Sequence, residues 1–481
     1  MSKQWETVIG LEVHLQLKTN TKVWCGCNAD YDNAKANTHT CPICLGHPGA
    51  LPKLNKKVVE YAIKGALALS CTINQESFFD RKNYFYPDTP KNYQITQFDK
   101  SYAEKGHLEF KLHSGKTIKI GITKIQIEED AGKSTHVATE SLINFNRASI
   151  PLIEIISDPD MRSSEEAYEY LNNLKTLLKY TGISDVSMET GSLRCDANIS
   201  VREKGQPIFG TRVEVKNLNS FKAVSRAIDY EIGRQIAEIE DGGEVFQETR
   251  LWDEEMQITR VMRSKEEAMD YRYFPEPDLL KLVITTEEIE KIKTEMPEMK
   301  KEKFERFLSQ YNLTEYDANI LCGDIELANY FEEVAKLSDN PKASANWIMG
   351  DVFRVLKENN STIETFTISA EDLAKIIRLI SNDTISSKLA KDLFKIKLDD
   401  DRDPELIVKE EEMVQVTDIS IIEDIVAKVI EGNPKMVEDY KNSDEGRKPR
   451  IMKGLMGQVM KETKGKANPE LVAELLEKKL S

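Results

Sequence analysis

The chain has 481 residues, 40% of them hydrophobic, which predicts two to four domains with real apolar cores. No run of about eighteen apolar residues occurs, so no membrane-spanning helix is expected, and residues 1–10 lack a basic stretch followed by an apolar one, so no secretory signal is expected. The net charge of −16 argues against non-specific polyanion binding, so any nucleic-acid contact needs a local basic patch.

Residues 7–17 alternate strictly, with Ile9, Leu11, Val13, Leu15 and Leu17 on one side and Glu12, His14 and Gln16 on the other. A period of two predicts a strand with one buried face. Cysteines come next. Of the seven, at 25, 27, 41, 44, 71, 195 and 322, four are clustered and three scattered, which is no disulfide framework and suits a reducing cytoplasm. Cys25-x-Cys27 and Cys41-Pro-x-Cys44 let two short turns each aim two sulfurs at one ion. Four thiolates suit tetrahedral Zn²⁺ and leave no open position, so a structural zinc is expected. The plain alternative is four unliganded thiols, and His39 and His47 are nearby substitutes. Cys71, Cys195 and Cys322 read as small buried thiols.

Further along, Ile125 and Ile127 alternate with Lys124, Gln126 and Glu128, and Glu129 and Asp130 follow. Ser163 with Glu166 makes a capping box for a helix carrying Ala167, Leu171, Leu174 and Leu178, which Gly182 closes. Residues 193–202 alternate again and place Arg194, Asp196, Asn198, Ser200 and Arg202 on one side; Arg212, Glu214 and Lys216 do the same around Val213 and Val215. A second helix starts near Ser220 and stops at Gly242–Gly243. Strands interleaved irregularly with helices predict an α+β domain with a largely antiparallel sheet.

After about residue 293 the alternation stops. Residues 347–356 form an apolar-rich helical segment, Ser369 with Asp372 opens another helix, Gly432–Asn433–Pro434 breaks the chain, and Asn468–Pro469 starts a last helix with the stripe Val472, Leu475, Leu476 and Leu480. The expected division is 1–292, 293–410 and 411–481. Between Arg447 and Lys466 stand seven Lys or Arg and one acid, Glu462, a basic patch that is equally a solvated face when taken alone.

Four predicted strands thus carry polar residues at alternate positions. If they are neighbours, carboxylates, a histidine and cations converge, which suits Mg²⁺ with a nucleoside triphosphate. A wet face of an antiparallel sheet is polar in any case, but this one is unusually rich in Asp and Glu. Ala131–Gly132–Lys133–Ser134–Thr135 is not a P-loop, because the glycine due at 127 is Ile127.

The aromatic and basic stretch at 80–97 closely resembles the hallmark of the B-subunit family of aspartyl/glutamyl-tRNA amidotransferases. So do Val8-Ile-Gly-Leu-Glu-Val-His14 and the segments 128–134, 191–198, 215–220, 247–250 and 270–278; the match runs from residue 6 to the end, including 465–469. The resemblance implies a glutamine-synthetase-like N-terminal domain, then an all-α helical domain and a small α-helical tail domain. It implies a cytoplasmic heterotrimer in which an amidase-like A subunit releases ammonia from glutamine and a small C subunit wraps the other two. The B subunit would use ATP to phosphorylate the side-chain carboxyl of Asp-tRNA(Asn) or Glu-tRNA(Gln), and ammonia would then displace phosphate. Carried over residue by residue, it puts Mg²⁺ on Glu12, His14, Glu128, Glu129 and Glu214, the nucleotide near Asp196 and Asn198, and the ammonia path near Lys82 and Lys91. Many family members lack the four cysteines, so zinc on Cys25, Cys27, Cys41 and Cys44 rests on spacing. The tail is expected to hold tRNA through Lys453, Lys461, Lys464 and Lys466. Two rivals are a zinc-stabilised tRNA scaffold without chemistry and a free-standing ligase for a small acid. The acid face speaks against the first and the basic tail against the second.

Overall fold

The structure, a computed structural model, describes residues 4–264, 268–413, 419–443, 447–463 and 467–480. The chain divides into two compact units, Met1–Lys300 and Lys301–Ser481.

The first unit is built on a nine-stranded sheet. Its strands are β1 (Trp5–Gln16), β2 (Thr72–Ile73), β3 (Ala103–Lys111), β4 (Thr117–Glu129), β5 (Pro151–Ser157), β6 (Leu193–Glu203), β7 (Val213–Lys216), β8 (Glu248–Asp253) and β9 (Ile258–Ser264). Across the sheet they run β9-β8-β7-β6-β1-β5-β4-β3-β2. Every neighbouring pair is antiparallel except β7–β8, so the expected α+β class with a largely antiparallel sheet is what forms.

Helices α1 (Lys56–Ala68), α2 (Ser164–Thr181) and α3 (Phe221–Glu240) pack on one sheet face. Val58, Ala62, Leu171, Leu174, Val224 and Ile228 share a core there with Ile9, Leu11, Val13 and Leu15 of β1 and with Ile125, Ile127, Ile153, Ile155, Ala197, Ile199 and Val215. Each large apolar side chain buried this way contributes about 1.5–3 kcal/mol. A one-residue slip of β1 would turn its four aliphatics outward and drive Glu12 and His14 into the core, so the register is held firmly.

The helix signals act as read. The Ser163 hydroxyl accepts from Glu166 N at 3.1 Å, and Gly182 takes φ 69° at the C-cap. The reciprocal half of the capping box is displaced by one residue, for the Glu166 carboxylate accepts from Arg162 N at 2.7 Å. Ser220 caps α3 by accepting from Ala223 N at 3.1 Å.

The second unit is helical among the described residues and holds two separate apolar clusters. One spans Phe307 to Met413, the other Ile422 to Leu480. The apolar segment near 347–356 is not one regular α-helix, because a π turn at Ile348–Val352 separates Pro341–Trp347 from Phe353–Glu358. Ser369 caps Ala370–Ser381, and the Asn468 carboxamide accepts from Glu470 N at 2.9 Å to start Pro469–Leu480. Among the described residues no helix is long and apolar enough to cross a membrane.

Candidate active site on the polar sheet face

Residues directly opposite in an antiparallel ladder share a face. Gln126, Glu154, His14 and Arg194 form one such row across β4, β5, β1 and β6. Lys124, Ile156, Glu12 and Asp196 form the next, and Gly10, Asn198, Glu214 and Thr249 a third. The four strands singled out in the sequence therefore belong to one sheet, and their polar residues lie on the face away from the helices. Between β1 and β4 runs β5, which inserts Glu154. Sequence reasoning missed that residue, because Pro-Leu-Ile-Glu-Ile-Ile-Ser lacks alternation and reads as a strand buried on both sides. The available signal was its lone acid, since a charge inside an apolar strand is rarely left without a role.

A small sheet of Asp80–Asn83, Tyr93–Thr96 and Phe274–Pro275 carries the aromatic stretch. Arg81 holds the buried Glu276 through two bonds of 2.7 and 2.9 Å, a forked pairing that fixes the segment around 270–278. Phe98 and Tyr273 stack at 4.0 Å, and Lys82 Nζ lies 5.3 Å from the Tyr271 ring centre. Together with the sheet face these groups bound a cavity of about 540 Å³ that includes Glu12, His14, Lys82, Glu154, Asp196, Glu214 and Lys216. His14, Lys82, Asp196 and Lys216 also line a second chamber of about 380 Å³ with Glu128, Asp130, Arg147 and Arg194.

Crowded carboxylates in a buried setting resist ionisation. Burial, then the charge of Glu12, pushes Glu154 up to about 7. Burial also raises Glu128, against the pull of Lys82. Burial lowers His14, whose Nε2 lies 3.6 Å from Glu154. Burial works against the Lys82 ammonium, yet Glu128, Tyr273, Glu154 and Tyr84 together outweigh it and keep its pKa well above the ordinary lysine value. The Asn198 amide donates to Glu12 at 2.9 Å, Thr249 donates to Glu214 at 2.8 Å, and Lys216 bridges Asp196 and Glu214.

Among the described residues Glu128 Oε2 is buried without a hydrogen-bond partner. An orphaned carboxylate oxygen beside further acids is a donor set for a hard divalent cation such as Mg²⁺, which takes one or two carboxylates and completes its shell with water or phosphate. Glu128 and the neighbouring pair His14 and Glu154 could contribute ligands, while Glu12 and Glu214 line the adjoining 540 Å³ cavity; among the described residues only the four cysteines below bring three or more ligand atoms within reach of one ion.

Glu129 does not join them. Its carboxylate accepts from Lys91 Nζ, from Ile95 N at 2.8 Å and from Ser149 Oγ at 2.6 Å. Lys82 and Lys91 accordingly part company: the first lines both chambers, whereas the second is buried against Glu129. Lys91→Met is expected to destabilise the fold by about 3–5 kcal/mol, because it leaves a buried carboxylate without its cation. Chemical denaturation reads this, and an unchanged midpoint would show the pair to be dispensable.

The four cysteines are gathered as their spacing predicts. One sulfur from each of Cys25, Cys27, Cys41 and Cys44 lies within 4.8 Å of the others. The Cys44 thiol is held down to about 5, chiefly by its hydrogen bond with Cys25 and also by Lys22, whose buried ammonium lies 3.7 Å from the sulfur. Cys41 N points at the same sulfur at 3.1 Å. Four converging sulfurs, one already inclined to thiolate, fit a closed zinc site. Cys71, Cys195 and Cys322 are buried, as expected.

In the second unit Lys453 and Lys461 are exposed on the helix Lys448–Glu462, two i,i+4 steps apart, while Leu455 and Val459 are buried. Lys464 and Lys466 lie outside the described residues.

Fold and site define a class: an α+β protein whose sheet lays a carboxylate, histidine and lysine face beneath an aromatic cover. Residues 7–290 match the GatB/GatE catalytic domain family and residues 329–480 the GatB domain family. The chain is 72% identical over 480 residues to a Fusobacterium nucleatum protein named as the B subunit of aspartyl/glutamyl-tRNA(Asn/Gln) amidotransferase, covering all of both chains. It is 53% identical to the protein of that name from Carboxydothermus hydrogenoformans, over 100% of this chain and 99% of the relative, and 50% identical to that of Thermoanaerobacter sp., over 99% and 100%. The chain belongs to this family, the B subunits of the tRNA-dependent amidotransferases.

Proposed function

We propose that the chain activates the side-chain carboxyl of Asp-tRNA(Asn), Glu-tRNA(Gln) or both with ATP, and then amidates it with ammonia supplied by an amidase-like A subunit in a heterotrimer with a small C subunit. The observation that carries this is the gathering of Glu12, His14, Glu128, Glu154, Asp196 and Glu214 with Lys82 and Lys216 around two chambers that share His14, Lys82, Asp196 and Lys216 as walls. A bare scaffold has no use for acids facing a polyanion.

When bound to these acids, Mg²⁺ would neutralise charge on the phosphates. Lys82 and Lys216 flank the acids and orient anionic groups by charge. A carboxylate oxygen of the aminoacyl side chain attacks the γ-phosphorus and ADP leaves. Ammonia then bonds to the acyl carbon, phosphate departs, and nitrogen gives up a proton. That proton passes to solvent. Free cysteines suit a reducing cytoplasm for this work.

The test mixes the chain, with and without its partners, with ATP and Asp-tRNA or Glu-tRNA. Phosphate release that requires the aminoacylated tRNA is expected. Release without tRNA would point to a ligase for a free acid, and no release under any condition to a scaffold.

Lys453 and Lys461, with Lys464 and Lys466, supply the tRNA contact in this reading. Neutralising them is expected to flatten the salt dependence of tRNA binding by roughly 0.7–0.9 log units per lost phosphate contact. An unchanged slope would make the patch a solvated surface.

A further inference from the structure

We infer that Lys22 is the positioning residue of the cysteine site. Its buried ammonium balances the charge of four thiolates on zinc, and its second bond ties the loaded site to the segment 143–147, which ends at the wall of the 380 Å³ chamber. The inference rests on the zinc assignment above.

A lysine normally lays its stem on apolar surface and keeps its head in water. Lys22 does not. It stands directly before Val23 and Trp24, which enter the sheet core, and it is itself fully buried. A buried charge is tolerated where it is paired and hydrogen-bonded. Among the described residues no carboxylate pairs with Lys22. Its ammonium has two partners, Cys44 Sγ at 3.7 Å and the Phe145 carbonyl at 3.3 Å. A thiol and a carbonyl are both neutral, so neither offsets the charge, whereas a metal-bound thiolate does. Zn²⁺ held by four thiolates keeps two surplus negative charges, and an ammonium against one sulfur cancels one of them.

Donors to the ligands of a metal orient those ligands and tune them. Cys44 Sγ receives two, the Lys22 ammonium and Cys41 N at 3.1 Å. The main chain of Lys22 serves the other cysteine pair, for its N–H donates to Cys27 O at 3.0 Å. One residue thus reaches both halves of the motif.

The Phe145 carbonyl leads on to the chamber. Asn37, between the two cysteine pairs, accepts from Phe145 N at 2.7 Å and donates to Ile143 O at 3.1 Å. His39 N donates to Asn146 Oδ1 at 2.8 Å, and the Asn146 amide donates back to Lys35 O at 2.9 Å. Next in the chain comes Arg147, which lines the chamber and donates to Ala131 O at 3.0 Å and to Gly132 O at 2.7 Å. Loop, ammonium and chamber wall are bonded in series, so an ion that closes the loop steadies Arg147.

The full chain is loaded with Zn²⁺, or with Co²⁺ as a spectroscopic probe, as wild type, Lys22→Met and Lys22→Gln. Lys22→Met is expected to weaken zinc by about 10–100-fold in competition with a chelator. Its Co²⁺ form should keep the absorption of a four-thiolate tetrahedron, with the sulfur-to-metal charge-transfer band moved to longer wavelength because the sulfur has lost a positive neighbour. Lys22→Gln retains an N–H donor without the charge. It should weaken zinc by less, and it keeps the test open should Lys22→Met fail to fold. Hydrogen exchange at 143–147 is expected to quicken in both zinc-loaded variants, and unchanged exchange there overturns the link to the chamber wall. Wild-type zinc affinity in both variants, or weaker binding with an unmoved band, overturns the charge-partner role and leaves the zinc assignment standing. A wild type that binds neither metal removes the assignment and the inference together.

Discussion

Glu12→Ala is expected to lower acyl-phosphate formation by about 10³-fold or more, while the glutaminase activity of the assembled complex stays measurable. Each lost 1.4 kcal/mol of transition-state stabilisation is about tenfold in rate, and a misplaced cation costs several kcal/mol. Glu12 is placed for that effect. It stands on the central strand, beside His14 along the face and opposite Asp196, and lines the 540 Å³ cavity. The fold should tolerate the change, since the Glu12 charge is one cause of the raised Glu154 pKa and its removal relieves crowding. An unchanged melting temperature with lost phosphorylation therefore separates chemistry from folding. Glu214→Ala should behave alike. In the proposed complex glutaminase persists because the acid face offers no nucleophile for glutamine, and the proposal gives that step to the A subunit. Measurement of acyl-phosphate and of glutamate release on one preparation decides the matter. Normal amidation by the Glu12 variant would remove this face from the reaction.

The second large effect concerns the cysteine loop. Cys41→Ser with Cys44→Ser is expected to cost about one zinc per chain and to lower the melting temperature by about ten degrees or more. Structural zinc contributes folding free energy directly, and a few kcal/mol correspond to shifts of that size in a large domain. The loop is bound into the fold at several points. Val23 and Trp24 are fully buried in the sheet core. Lys22 is also fully buried, with Cys44 Sγ at 3.7 Å and the Phe145 carbonyl at 3.3 Å as partners, so losing the thiolate strands an ammonium. Gly46, at φ 69°, lies so close to Lys91 that a Cβ would come within 2.4 Å of its side chain. A disturbed loop would therefore loosen the Lys91–Glu129 pair. Chelation of the wild type separates the metal's share from that of the side chains. A zinc-free wild type with an unshifted melting curve would end the zinc assignment.

Local pattern by itself determined a good deal about this protein. The period-two alternation of β1, β4, β6 and β7 set which side chains share a face. The caps at Ser163, Ser220, Ser369 and Asn468 set where helices begin, and the paired cysteines set which sulfurs meet. These are short-range matters of backbone geometry and side-chain reach, and they are written in adjacent residues. Only the tertiary structure decided which strands are neighbours, because strand pairing joins residues far apart in the chain. It placed β5 between β1 and β4 and so brought Glu154 against His14. It turned Glu129 and Lys91 toward each other and away from the acids. It brought Arg212 and the acids of β1, β5 and β6 to one cavity. Such meetings depend on sheet order and on the packing of one segment over another, and local spacing carries no trace of them.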